Sequence, residues 1–200
     1  MNRILHICAI LLSCICCNTL YAQEKGGQFA LKTNILYDLA PVPNIGIEYH
    51  FGKGWSTSAD WNCAWWNNKK KDRYWRIYGG QLEVRKYLGE LHKTRALSGH
   101  HIGIYGQGFT YDFLLVKKGQ LSNFSYGAGF SYGFSAPLSP AFNLDFCVGI
   151  GYVGGDYKVY EKDNGCYVWQ ETRIRNYFGP SKVEITLIWL IGQKKRGESR

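Results

Sequence analysis

The sequence predicts an all-β fold, an antiparallel up-and-down eight-stranded β-barrel of the outer-membrane type, on three observations. The first is the stretch from Phe124 to Ala136. Phe124, Tyr126, Ala128, Phe130, Tyr132, Phe134 and Ala136 fall on one face, and only Ser and Gly, from Ser125 to Ser135, fall on the other. Strict alternation marks a strand with two unlike faces. A water-washed face carries Lys, Glu and Thr, whereas a face of Ser and Gly suits a crowded interior with the aromatic face turned to lipid. The second observation is that such alternation recurs in eight segments, with no domain linker or low-complexity tract between them. The third is that the aromatic residues gather at the two ends of the predicted strands, as interfacial girdles do.

In chain order, the first segment runs over 29–39. It has Phe29, Leu31, Ile35, Tyr37 and Leu39 on one face, and Lys32, Asn34 and Asp38 on the other. Pro41 to Asn44 is a compact turn, because each proline fixes its φ and interrupts a ladder. The second segment sets Ile45, Ile47, Tyr49 and Phe51 against Gly46, Glu48 and His50, and Gly52-Lys53-Gly54 reads as a hairpin. The third runs over 55–66 with Asp60 and Asn62 on its polar face, followed by a basic loop at 67–73. The fourth, from about Tyr74 to Leu88, alternates Tyr78, Leu82 and Val84 with Gln81, Glu83 and Arg85. A polar connection over 89–98 precedes the fifth, 99–113, where Ile102 and Ile104 alternate with His101, Gly103, Tyr105 and Gln107. The connection 114–122 leads to the sixth segment, and Pro137 to Pro140 is a turn. The seventh sets Phe142, Leu144, Phe146, Val148, Ile150 and Tyr152 against Asn143, Asp145, Cys147 and Gly149. The longest connection, 154–180, has Asp163-Asn164-Gly165 as the tip of a projecting β-arm. The eighth, 181–191, alternates Val183, Ile185, Leu187, Trp189 and Ile191 with Lys182, Glu184 and Thr186.

Strands of about 10 tilted residues span an outer membrane. An even number places both ends of the barrel on the periplasmic side. The connections at 52–54, 89–98 and 137–140 are then periplasmic, and those at 41–44, 67–73, 114–122 and 154–180 extracellular. This places Tyr37, Trp65, Trp66, Trp75, Tyr111, Phe124, Tyr126 and Tyr152 at the outer rim, and Phe29, Phe51, Trp55, Tyr87, Phe134, Phe142 and Trp189 at the inner rim.

The domain plan is a signal peptide at 1–22, a barrel at 23–192 and a basic polar tail at 193–200. Arg3 supplies the positive start of the signal, Ile4 to Cys17 the apolar run, and Leu20-Tyr21-Ala22 the cleavage site. A second reading of the same segment takes Leu11-Leu12-Ser13-Cys14 as a lipoprotein box with Cys14 lipidated. Beyond residue 22 no apolar run is long enough for a transmembrane helix, so a membrane form has to be a closed barrel. Cys63, Cys147 and Cys166 remain after cleavage. An odd number without a C-x-x-C pair argues against a disulfide framework or a zinc site, and one disulfide with a free thiol stays open. The formal charge of +9 falls by one when Arg3 is removed. Export argues against nucleic acid as the counterpart, and an anionic lipopolysaccharide surface or glycan suits the charge.

The inward face gathers Lys32, Glu48, Asp60, Glu83, Arg85, Asp145 and Glu184. An eight-stranded barrel is only wide enough for side chains to fill it, so these charges are expected to pair into a polar core. Lys69, Lys70, Lys71 and Arg73 follow Trp65 and Trp66, a candidate surface contact for lipid phosphate or glycan. No catalytic, cofactor-binding or metal-binding residues are expected. Outer-membrane enzymes acting on lipid A carry a Ser/His pair at the outer rim, whereas His50, His92, His100 and His101 all fall at the periplasmic end, and no G-x-S-x-G elbow is present.

Two stretches carry a family resemblance. Phe29 to Asp38, continuing through Pro43-Asn44-Ile45-Gly46-Ile47-Glu48, resembles the opening hairpin of an uncharacterised group of Bacteroidetes outer-membrane barrels catalogued as a domain of unknown function. Tyr177-Phe178-Gly179-Pro180-Ser181-Lys182, leading to Ile185 through Leu190, resembles its closing strand. The resemblance covers about residues 28 to 191. It implies an exported barrel, with some members encoded near fimbrial genes, and it implies no catalytic residues. Trp189 is followed by Leu190, Ile191 and a polar tail, a departure from the terminal aromatic that many such barrels use for assembly. The expectation is therefore a monomeric, non-enzymatic outer-membrane barrel with a structural or surface-interaction role. Its partners are outer-membrane lipid, lipopolysaccharide and a surface-appendage or envelope protein. A narrow pore and a soluble periplasmic barrel holding an apolar ligand are the alternatives.

Overall fold

Eight strands follow chain order around a closed barrel, each antiparallel to its neighbours. They are β1 (Gln28–Asn34), β2 (Asn44–Gly52), β3 (Trp55–Asn68), β4 (Arg73–Tyr87), β5 (Gly99–Leu115), β6 (Lys118–Ser139), β7 (Phe142–Asp163) and β8 (Cys166–Ile191). Two short helices interrupt them, α1 (Ile35–Leu39) and α2 (Leu91–Thr94). The computed structural model describes residues 27–68, 73–115, 118–163 and 166–192. The expected signal peptide, with Cys14, and the basic tail lie outside the described residues. The sheet closes where β1 meets β8, from Phe29 opposite Ile191 to Asn34 opposite Thr186.

Polarity is reversed from that of a water-soluble barrel. Phe130 is 70% exposed and Ile104 61%, while Glu48, Arg85 and Asp145 are each 0% exposed. The alternation of the sequence is thus resolved with its apolar face outward, as a lipid solvent requires. The interior is tight where Gly and Ser face it. A Cβ at Gly133 would come within 2.5 Å of the Phe146 carbonyl oxygen and of the His101 ring, and one at Gly103 within 2.6 Å of Glu83 and Ser131.

Three parts of the chain depart from the sequence reading. The segment 35–39 is a helix rather than the end of a strand. Asn34 caps it, its Oδ1 accepting from the Leu36 amide at 3.1 Å, and Asn44 accepts from the Asn34 amide at 2.6 Å. Ile35, Tyr37 and Leu39 alternate by coincidence, and Tyr37 lies over the barrel mouth instead of in the outer girdle.

The second departure is the connection after β4, which folds back into the lumen at the end opposite α1. Leu97 and Tyr87 are fully buried with Ala30, Ile188 and Leu190. The Leu97 carbonyl accepts from Asn143 at 2.7 Å and from Ser135 at 2.8 Å. Arg95 donates to the carbonyls of Ser139 and Phe142. Tyr87 is therefore a luminal residue, not part of the inner girdle, as its place two residues after Arg85 requires. Tyr111, 8% exposed, likewise is not an outer-rim residue facing lipid.

The third departure concerns 114–122 and 154–180, whose described residues are ladder rather than loop. β6, β7 and β8 run for 22, 22 and 26 residues, against 7 and 9 for β1 and β2. Pairing continues unbroken in direction from Gly155 opposite Arg175 to Asp163 opposite Cys166, so the projecting β-arm is the upper part of β7 and β8. About 10 residues suffice to cross a membrane, so more than half of β8 lies beyond that length.

Replacing Gly133 by Val should overpack the wall and lower stability by about 1–3 kcal/mol. Denaturant titration of the detergent-solubilised barrel checks this, and Ala128→Val on the outward face should change it little.

Candidate functional site

All eight strands aim polar side chains into the lumen, and carboxylates from four of them meet at Arg85 of β4. Its guanidinium lies 2.8 Å from Glu83, 3.0 Å from Asp145, 3.5 Å from Glu48 and 3.9 Å from Glu184. Lys182 sits 2.6 Å from Glu83 and 3.2 Å from Glu184, and Lys32 lies 3.4 Å from Glu48 and 3.3 Å from Asp60. Further polar groups complete the shell. Ser56 donates to Glu48 at 2.6 Å, Tyr87 donates to the same oxygen at 3.2 Å, Ser131 bonds Glu83, and His101 bonds Asp145 at 2.7 Å. Charges taken out of water are retained only when paired and hydrogen-bonded this densely. The seven charged residues read from the alternation, Lys32, Glu48, Asp60, Glu83, Arg85, Asp145 and Glu184, are thus brought into one network. Lys182, Tyr87 and His101 join it. Lys182 and Tyr87 are each two residues from a member, and His101 lies on the polar face of β5, so alternation carries the signal for them too.

The lumen is layered. The apolar plug of Tyr87, Leu97, Ile188 and Leu190 closes the end opposite α1, and the Arg85 network fills the middle. Toward the α1 end lies a cavity of about 210 Å³, lined by Asn34, Asn62, Gln107, Asp60, Glu184 and Phe109 among others, with Tyr37 of α1 at its edge. The continuous layers below it leave this cavity accessible from the outer mouth.

The surface residues singled out by sequence separate. Trp65 faces outward under the Arg76 guanidinium, 4.5 Å from its ring centroid, with Tyr78 edge-on at 6.2 Å. Trp66 faces the other way, and its indole donates to the Pro41 carbonyl at 2.5 Å, fastening β3 to the loop after α1. Neighbours on a strand cannot share a face, so the pair is not one aromatic patch. Lys69, Lys70 and Lys71 lie outside the described residues, and so does the side chain of Arg73.

Two clusters in the extension beyond the membrane-length core have no counterpart in the sequence reading. Phe109, Tyr111 and Phe113 stack along β5 with centroids 6.2 and 5.6 Å apart. Arg175 of β8 donates to the Tyr111 hydroxyl at 2.9 Å and lies 5.3 and 5.1 Å from the rings of Tyr111 and Tyr157. Higher up, the hydroxyls of Tyr74 and Tyr160 meet each other and the Asp112 carboxylate, their two protons shared among the three contacts, with Tyr167 edge-on to both rings. Burial, then the bonds to Tyr74 and Asp112, pushes the Tyr160 phenol far above its ordinary value. These clusters hold the extension together where no lipid or lumen does.

Among the described residues no group of three or more His, Cys, Asp or Glu is placed to hold a metal ion. Cys63, Cys147 and Cys166 are all free thiols, which answers the disulfide left open by the sequence. No helix among the described residues is long and apolar enough to cross a membrane, which says nothing of strands.

A family model described as "Protein of unknown function (DUF3575)" matches residues 8–191. No curated protein matches the chain significantly. Among solved structures, the chain is similar to a major outer membrane protein from Thermus thermophilus, at 11% identity and a TM-score of 0.45, over 83% of this chain and 100% of that one.

Replacing Arg85 by Met keeps most of its volume but leaves Glu83, Glu48 and Asp145 without their shared cation. The loss should be about 3–5 kcal/mol, the scale of breaking a buried pair by removing one partner. Unfolding in denaturant, read by tryptophan fluorescence, measures it.

Proposed function

The chain belongs to the DUF3575 family, whose function is unknown, and on that premise we propose that it is a closed, non-conducting outer-membrane barrel that displays a β-extension on the cell surface. The observation that carries this reading is the inverted polarity: aromatic and aliphatic side chains outside, an ion network inside. In water that arrangement would expose the apolar face of every strand and bury charge, whereas in lipid both choices are favourable. Phe124, Tyr126 and Tyr152 at one level and Phe51, Trp55, Phe142 and Trp189 at the other suit two membrane interfaces.

The contents of the lumen support a role other than conduction. The plug and the Arg85 network fill the cross-section, which supports a closed barrel over a pore. The working surface is then the extension of β3 to β8. Lys118, Lys158, Arg173 and Arg175 on it, with Lys69 to Lys71 in the sequence between β3 and β4, favour an anionic partner such as lipopolysaccharide. A surface appendage or envelope protein is the macromolecular partner this display would serve, and the barrel acts as a monomer. The soluble alternative, with aromatic faces lining a ligand cavity, finds no support in side chains that point away from the lumen.

Cys166 is exposed at the start of β8, at the far end of its pairing with β7, while Cys147 is buried. A membrane-impermeant maleimide should therefore label intact cells, and Cys166→Ser should remove the signal. Labelling only after the outer membrane is permeabilised would reverse the orientation and end the surface-display reading.

A further inference from the structure

We propose that the free edge of β8 above the outer aromatic girdle is a docking site for one extended strand of a partner protein, aliphatic and acidic, added to the sheet by main-chain hydrogen bonds. The inference deepens the surface-display reading and rests on it for where the partner is met.

The backbone supplies the first argument. β1 reaches β8 only from Thr186 to Ile191. Phe178 pairs with Tyr152 of the girdle, so Cys166 to Asn176 lie beyond it. Over this stretch β8 pairs with β7 on one side, and on the other its backbone meets no partner among the described residues. A strand edge presents alternating N–H donors and C=O acceptors, and only another extended backbone offers the matching alternation. Natural edges are blunted by proline, by lysine or by a covering segment. This stretch has neither proline nor lysine, and its one irregularity is a bulge at Gln170. The other edge of the extension, on β3, is fastened instead. There the Cys63 amide donates to the Pro43 carbonyl at 3.0 Å, and the Trp66 indole donates to that of Pro41.

The side chains supply the second argument and select the occupant. Trp169 is 62% exposed and Ile174 72%, with Tyr167 and Val168 exposed beside them, at a height where water replaces lipid. Apolar side chains along a free edge suit aliphatic neighbours on an added strand. Charge narrows the choice further. Arg173 and Arg175 outnumber Glu171, the one carboxylate of the stretch. Glu171 is paired with Arg173, while Arg175 is held by the Tyr111 hydroxyl and two aromatic rings and by no carboxylate. The surplus is therefore positive, and carboxylates on the added strand answer it. A second copy in the same membrane fits poorly. Its β8 would run parallel to this one and set Glu171 against Glu171 and Arg173 against Arg173, and like charges directly opposite destabilise a strand pair.

Fluorescence anisotropy of labelled octapeptides, titrated with the full chain folded in detergent micelles, tests the proposal. One peptide alternates valine with aspartate, a second alternates valine with lysine, and a third repeats the first with every backbone amide N-methylated. The aspartate peptide should saturate, and the lysine peptide should bind at least about tenfold more weakly. The N-methylated peptide keeps the side chains without the donors and should not bind. Arg173→Glu should weaken the aspartate peptide about fivefold while leaving the heat-dependent gel shift of the barrel unchanged. Should that variant fail to fold, Arg173→Gln should weaken the same peptide about twofold. No saturation by the aspartate peptide, equal binding of the N-methylated or the lysine peptide, affinity unmoved by the Arg173 variants, or a dimer of the chain in sedimentation that the peptide dissolves would each overturn it. Binding in micelles is blind to membrane orientation, so its failure is read separately from that of the surface-display reading, which Cys166 labelling tests.

Discussion

The constraint on which the molecule depends is that a chain with lipid outside must put its polar groups inside, in a space only as wide as a few side chains. Arg85 meets that constraint. One guanidinium reaches carboxylates from β2, β4, β7 and β8, so strands that are far apart in sequence converge on a single group. Each carboxylate tolerates burial only because Arg85 and the two lysines are there, and they tolerate burial only because of the carboxylates. The network is thus a register device as much as a source of stability: a one-residue slip in any strand would turn its charge toward lipid.

Layering along the axis follows from the same constraint. Below the network the chain satisfies the interior with apolar side chains from β4, β8 and the 88–98 connection; above it, the charge is not fully balanced and a cavity remains. The change from sealed to open along one lumen separates the two ends chemically. Buried polar atoms without a partner remain at both ends, on Asn34 and Asn62 above the network and on His50, Arg95 and Asn143 below it.

How much of this is legible in the sequence depends on which solvent each residue faces. Where lipid bathes one face, as in β6 from Phe124 to Phe134, the alternation is strict and the strand, its two faces and its luminal partners can all be read. In the extension of β7 and β8 water bathes the exposed side chains, so Tyr157, Lys158, Val159 and Tyr160 follow no period, and only backbone pairing reveals the strand. Helix α1 is hidden for a different reason. Its five residues keep the alternation of β1 by chance, and the capping role of Asn34 depends on Asn44, ten residues away. Leu97 gives no signal at all, since nothing in a polar connection marks one leucine as the stopper of a barrel. Trp65 and Trp66 show the opposite failure, in that proximity in sequence suggests a shared surface although strand geometry sends them apart.

The unequal strands have a mechanical meaning. β8 has 26 residues, yet it meets β1 through only six pairs, Phe29 with Ile191 to Asn34 with Thr186. Its pairing with β7, by contrast, runs almost its whole length. Any pull at Asp163 and Cys166, the far end of that pairing, is carried down a stiff lever made of β7 and β8 and delivered to the short seam. The zipper geometry at β1 and β8 bears load one bond at a time when peeled, but all six pairs together when sheared. The barrel would therefore resist a tug along its axis far better than a sideways one.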